Sequence, residues 1–317
     1  MNHLSLLLDI LTVIAPVFAM ILMGLFLKRI HLIDERFIDT ASNLVFNATM
    51  PALIFFSISQ ADFSEAFQPK VVLFFSAATL ASFLLSALVI KGGRLEVEKA
   101  TFIVSASRGN CGVLSFSLAA SHYGDLGLAL GGVMGGVAAV TANVGTIITY
   151  TLMQQQGKPD LGKLLLANLK SPLLIALFLG ASVSYFHIKF PAWFLQSGSY
   201  FSSLSLPLAL MCVGGSLTLS ALKHSSVNAI GASLTKLLLI PLLGCLVAAF
   251  WLDFTTIELG MLFLFLGSPT AASVFAISRY YRGDSELASA SILLSTLMAS
   301  ITIVAGLFII EVLGGEI

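Results

Sequence analysis

The chain has 317 residues, of which 57% are hydrophobic and only 10% charged, with 16 basic and 16 acidic side chains and no formal net charge. A soluble domain carries about 25% charged residues, so this composition excludes a protein whose whole surface faces water. The charge balance also argues against a nucleic-acid binder, and a mean hydropathy of +0.99 fits an all-α integral membrane protein.

A membrane-spanning helix needs about 20 mostly apolar residues. Ten such segments are predicted in chain order, near 6–27, 41–59, 70–90, 101–121, 126–152, 166–187, 199–219, 226–250, 257–279 and 285–313. The first reads as a retained helix, because Lys28 and Arg29 follow its apolar run and no basic segment or cleavage site of a signal peptide is seen. The loops are short, leaving no room for a separate catalytic domain, and the chain reads as a non-enzyme.

Orientation follows from the excess of Lys and Arg on the cytoplasmic side of membrane proteins. With the N-terminus outside, one side collects Lys28, Arg29 and Arg36, then Lys91, Arg94 and Lys99, then Lys158, Lys163 and Lys170, then Lys223, and finally Arg279 and Arg282. The other side holds only Lys70 and Lys189. This asymmetry predicts ten spans with both termini on the outer, periplasmic face. The short loops point to a bacterial inner membrane.

The spans repeat. The second contains NATMPALIFFS and the seventh SLSLPLALMCV, with Pro51 and Pro207 alike in place. The fourth, through GNCGVLSFSLAASHYGD, parallels the ninth, SPTAASVFAISRYYRGD, so that Asn110 falls on Pro269 and Gly124-Asp125 on Gly283-Asp284. From Pro51 to Asn110 is 59 residues, and from Pro207 to Pro269 is 62. Residues 1–153 and 154–317 are therefore expected to be two five-helix repeats. An odd number of spans per repeat makes their topologies opposite, the plan of many secondary transporters.

Gly109, Asn110 and Gly112 interrupt the fourth span, and Ser268-Pro269-Thr270 the ninth. Proline removes an amide and clashes with the preceding turn, and glycine weakens a helix by about 1 kcal/mol. Matched breaks in two halves are the best sequence pointer to a transporter binding site, since freed backbone groups at membrane depth need protein or a wet cavity around them. Half-helix N-termini there offer partial positive charge to an anion. A single break also has the plainer reading of a kink or a packing site.

Arg108 adds a full charge to the first break. A cation at the centre of a span costs at least about 2.5 kcal/mol. Two readings stay open for it: an anion clamp, which guanidinium suits by bidentate pairing with carboxylate, or a structural cation neutralising helix ends. No acidic residue lies at matching depth in the fourth or ninth span, which favours an anion as substrate. Lys236, about ten residues into the eighth span, has two readings, a functional cation or a side chain reaching back to the inner surface, and the second is favoured. Asn47, one turn after Asn43 and just before Pro51, is placed beside the break. Asn43 and Asn143 are left between cavity lining and interhelical hydrogen bonding.

Glycines 131 to 136, in GGVMGG, read as close helix packing. Cys111, Cys212 and Cys245 lie in apolar stretches without metal-ligand spacing. The histidines, His122 among them, fall near span ends without metal-ligand spacing and read as interfacial. Neither a metal, a cofactor nor an ATP-binding loop is expected.

NLVFNATMPALIFFSIS, RGNCGVLSFSLAASHYGD and GSPTAASVFAISRYYRGD together resemble the auxin efflux carrier family, which includes plant PIN proteins and bacterial organic-acid carriers. The resemblance runs over the whole chain. It implies a fold similar to sodium/proton antiporters and bile-acid symporters. Spans one, two, six and seven would form a scaffold and homodimer interface, while spans three to five and eight to ten would form a moving transport unit. The broken fourth and ninth helices would cross at its centre. In plant members an asparagine at the crossing meets the substrate carboxylate, and Asn110 matches it. Plant members have proline at both crossings, whereas this chain has Gly109-Asn110 in one and Pro269 in the other.

The expectation is a secondary transporter for small organic anions such as malate, malonate or auxin-like acids. Arg108, Asn110, Cys111, Gly112, Asn47, Ser268, Pro269 and Thr270 would bind the substrate, with sodium or protons as coupling ions. The alternatives are a sodium-coupled symporter, using Asn110, Thr270 and Ser273 for the ion, and a membrane receptor that binds without transport.

Overall fold

The computed structural model describes residues 3–60, 68–90, 96–153, 170–218, 221 and 227–314. Lys91, Arg94, Lys158, Lys163 and Lys223, five of the basic residues that set the predicted orientation, lie outside the described residues.

The described residues are helical, with a single isolated bridge between extended segments. In chain order the helices are α1 (His3–Arg29), α2 (Glu35–Gln60), α3 (Pro69–Val89), α4 (Glu96–Ser107), α5 (Cys111–Met153), α6 (Pro172–Tyr185), α7 (Ala192–Ser203), α8 (Ser205–Ser216), α9 (Val227–Trp251), α10 (Thr256–Leu266), α11 (Ser273–Tyr280) and α12 (Ser285–Gly314). Among the described residues six of these, α1, α2, α3, α5, α9 and α12, are long and apolar enough to cross a membrane, and α6 and α10 are shorter apolar helices. The protein is an all-helical membrane protein.

Polar residues at the span ends start the helices. Asp34 accepts a hydrogen bond from the Phe37 amide at 2.7 Å, Ser171 from the Leu174 amide at 3.2 Å, and Thr255 and Glu258 form a reciprocal capping box. Asp284 takes the amides of Glu286 and Leu287 at the start of α12.

The observed elements depart from the sequence pattern in informative places. The predicted fourth and fifth spans meet inside α5, which turns at Gly124, where φ is 59° and ψ is −135°; only glycine adopts that backbone without strain. The predicted seventh span starts earlier, at Ala192, and is interrupted at Leu204. α2 and α9 each carry a π turn, Val45–Thr49 and Thr235–Leu239. Each ends two residues before a proline, Pro51 or Pro241. The proline has no amide for the carbonyl four residues back, and a wider turn absorbs the mismatch. A third π turn, Cys111–Ser115, opens α5.

Helices in lipid associate through close packing, not through the hydrophobic effect. α1 lies against α8 at reciprocal glycines: a Cβ on Gly24 would sit 2.1 Å from the Met211 carbonyl oxygen, and one on Gly214 would sit 1.8 Å from that of Ile21. α2 packs on α6, and α5 on both α2 and α3. The GGVMGG stretch serves this packing, with Gly132 against Ile54 and Gly136 against Leu174.

Candidate functional site

The chain leaves helical geometry between Ser107 and Cys111 and again between Leu266 and Ser273. The two breaks meet. The Asn110 amide donates to the Pro269 carbonyl at 2.8 Å, and the Ala271 amide to the Arg108 carbonyl at 3.0 Å. Gly109 and Thr270 face each other in an antiparallel bridge. Backbone groups that Gly109 and Pro269 release from their helices are thereby satisfied by one another, as they must be away from water.

Side chains complete the helix ends around this junction. At the C-terminus of α10, four successive carbonyls are occupied: Phe263 by the Gly267 amide, Leu264 by the Ser115 hydroxyl at 2.8 Å, Phe265 by the Cys111 thiol at 3.3 Å, and Leu266 by the Lys236 ammonium at 2.7 Å. Opposite them, the Thr270 hydroxyl donates to the Ser105 carbonyl at 2.8 Å, while the Thr270 amide donates to Ser295 at 3.0 Å. The hydroxyls of Ser105 and Ser268 are buried without a partner among the described residues.

Arg108 is half-buried at the junction. Its Nη1 donates to Asn143 Oδ1 at 2.8 Å and more weakly to Thr146 at 3.5 Å, and its Nε donates to Ser273 at 3.2 Å. The arginine thus ties α5 to the start of α11. It makes no ion pair with a described residue.

A cavity of about 140 Å³ opens here. Arg108, Gly109, Asn110, Cys111, Gly112 and Lys236 form its polar floor, and Phe46, Phe75, Phe265 and the alanines of α5 form its walls. Among the described residues no Asp or Glu is in its lining. Gly112 and Gly135 present empty space, with no atom within 4 Å of where a Cβ would stand. Asn110, Phe46, Ala271 and Ser273 also line a second cavity of about 140 Å³, next to Ser42 and Cys212. Ser216 and Ala272 lead from there into a third, of about 390 Å³, rimmed by Glu35 and Asp39. A chain of cavities therefore runs from the junction to the N-terminal end of α2. The cavity at the other end of α2, beside Gln60, Asp125 and Ser199, shares none of these lining residues.

The structure sorts the expected site residues. Arg108, Gly109, Asn110, Cys111, Gly112 and Ser273 line the central cavity. Ser268, Pro269 and Thr270 lie behind the junction, fully buried or nearly so, and hold it together. Asn47 is outside the cavity lining, with its amide given to the Asn43 carbonyl at 3.0 Å, and Phe46 is the residue of α2 that enters. Asn143, left open above, is the partner of Arg108.

Lys236 requires a correction. It does not reach back to the membrane surface: it is 2% exposed and its ammonium sits at the junction. The π turn around it and Pro241 set its direction, and neither could be read as a depth in the membrane. All three π turns of the described helices border these cavities, through Phe46, Cys111 and Lys236. Such turns often mark functional positions.

The membrane transport protein family matches this chain over residues 9–161 and 161–305. The chain belongs to that family, which is the auxin efflux carrier family, and is a multi-pass integral membrane protein. It is 27% identical over 309 residues to an uncharacterized transporter of Methanocaldococcus jannaschii, covering 92% of this chain and 96% of the relative. A second uncharacterized transporter, from Methanothermobacter thermautotrophicus, is 25% identical over 304 residues, 92% of this chain and 95% of its own length. A Rhizobium meliloti protein named "Putative malonate transporter" is 28% identical over 140 residues, 44% of each chain.

Proposed function

We propose that this protein is a secondary transporter that moves small carboxylates across the membrane by alternating access, with Arg108, Asn110 and the start of α5 at Gly112 holding the carboxylate. The observation that carries this is the half-buried Arg108 at two joined helix breaks, beside a cavity whose lining contains no Asp or Glu among the described residues. A cation in such a place is stabilised by an anion, and only an anion that comes and goes makes it useful in transport. The name of the Rhizobium meliloti relative agrees with a carboxylate cargo. Sodium at Asn110, Thr270 and Ser273 is the weaker alternative, because the Ser273 hydroxyl already faces the Arg108 guanidinium at 3.2 Å and the Thr270 hydroxyl is turned to Ser105.

The architecture in this reading is ten spans in two inverted five-span repeats, residues 1–153 and 154–317, with both termini outside in a bacterial inner membrane and a homodimeric scaffold. Shared local geometry supports the repeat. The turns after α1 and α6 each place a histidine, His31 or His187, at positive φ, 59° and 52°. The two breaks recur in matching order. The chain of cavities toward Glu35 and Asp39 then leads to the cytoplasmic side, and the structure is inward-facing.

The test is uptake of radiolabelled malonate and malate into proteoliposomes, with and without sodium and with and without a pH gradient. Carboxylate accumulation above empty vesicles is expected. Absence of flux under every gradient, with thermal stabilisation by carboxylates still present, would identify a receptor instead.

A further inference from the structure

We infer that Lys236 is a second anion-binding cation, so that the site takes a short dicarboxylate in preference to a monocarboxylate. This rests on the anion-transport reading above and names the substrate class of that same site.

Lys236 stands in the π turn of α9 and lines the cavity at the junction. Its ammonium carries three donors, and one of them goes to the Leu266 carbonyl. Its position depends on Gly109, since a Cβ there would lie 3.0 Å from Nζ and 3.2 Å from Cε. The absence of a side chain at residue 109 is what lets the ammonium reach the break. Both Lys236 and Arg108 line the same cavity of about 140 Å³. Cys111 is the other ionisable group in that lining, and its thiol donates to the Phe265 carbonyl. Elsewhere in the described chain, Lys28 and Lys99 pair with Glu35 and Glu96; Lys236 pairs with no carboxylate.

A cap on the α10 C-terminus accounts for one ammonium donor, but a neutral amide would do the same without burying a charge. Two cations in one small cavity without a carboxylate among the described residues are matched by a ligand with two negative charges. One carboxylate meets Arg108 and Asn110, and the other meets Lys236, with the short spacer against Phe75 and Phe265.

The experiment measures the dissociation constants of malonate, acetate and sulfate for the purified full-length protein by calorimetry, for wild type, Lys236→Gln and Lys236→Arg. Wild type should bind malonate at least tenfold more tightly than acetate. Lys236→Gln, which keeps a donor for Leu266, should lose at least tenfold in malonate affinity so that the preference over acetate collapses. Lys236→Arg should retain it. Equal weakening of malonate and acetate in Lys236→Gln, or an intact preference, overturns the inference and leaves a structural cap. The wild-type ratio stands even when a variant fails to fold: equal binding of acetate and malonate overturns the inference while keeping the carboxylate reading. Sulfate bound with no carboxylate bound overturns both.

Discussion

Replacing Arg108 by glutamine separates its two possible duties. In the structure Nη1 is used by Asn143 and Thr146 and Nε by Ser273, which leaves the Nη2 hydrogens for a ligand among the described contacts. One hydrogen bond to a charged group contributes about 1.5–3 kcal/mol. Its loss corresponds to a roughly tenfold to 150-fold rise in dissociation constant. Glutamine is shorter and neutral but still polar, so the fold loses at most the weak neighbourly bonds, worth about 1 kcal/mol each. With three such bonds at about 1 kcal/mol each, the unliganded melting temperature should therefore fall by no more than about 12 °C. Calorimetric titration of malonate, with melting temperature measured on the same samples, reads both quantities. A malonate affinity within threefold of wild type, accompanied by a large loss of melting temperature, would refute the clamp and make Arg108 a purely structural tie between α5 and α11.

Other substitutions probe the site from different directions. Gly135→Leu projects a side chain into space that is empty in the cavity, and leucine favours helix over glycine by about 0.5–1 kcal/mol; malonate binding should vanish while the melting temperature holds or rises. Gly109→Ala pushes on Lys236 Nζ at 3.0 Å and the Cys111 thiol at 3.2 Å. Because the ammonium ends a flexible chain, stability should drop by only about 1 kcal/mol, whereas malonate affinity should fall several-fold, measured in the same titration. Gly214→Val drives a side chain into the Ile21 carbonyl, where even a Cβ would sit at 1.8 Å; α1 and α8 must separate, and the expected readout is loss of the monodisperse peak in size-exclusion chromatography.

Residues that violate the membrane's preferences were the legible ones. Arg108 is a charge in an apolar run, and Gly109 and Pro269 are weak helix formers there, so both breaks follow from residue type, whereas their meeting is what the family resemblance implies. Asn47 shows the limit of periodicity. Asn43 and Asn47 share a face only if the helix keeps 3.6 residues per turn, and the π turn Val45–Thr49 shifts the register so that Phe46 faces the cavity instead. Lys236 shows another limit. Position in a span does not tell whether a lysine runs along the helix toward water or across it toward a neighbour's carbonyl, and here the neighbour is 30 residues away in sequence. Thr270 belongs to the break read from Ser268-Pro269-Thr270, and its residue type does not reveal that its hydroxyl and amide are both consumed behind the junction.

The paired breaks also bear on how the molecule is made. Arg108 must wait for Ser273, 165 residues later in the chain, and the Ser105 carbonyl must wait equally long for Thr270. A nascent chain that has inserted only through α5 holds an open backbone gap at membrane depth with no partner yet synthesised. Such distant contacts form late and slowly, and domains emerging N-terminal first are exposed to misassembly in the interval. The first half of this protein should therefore carry unpaired backbone groups at the break until α10 and α11 are made and close the seam.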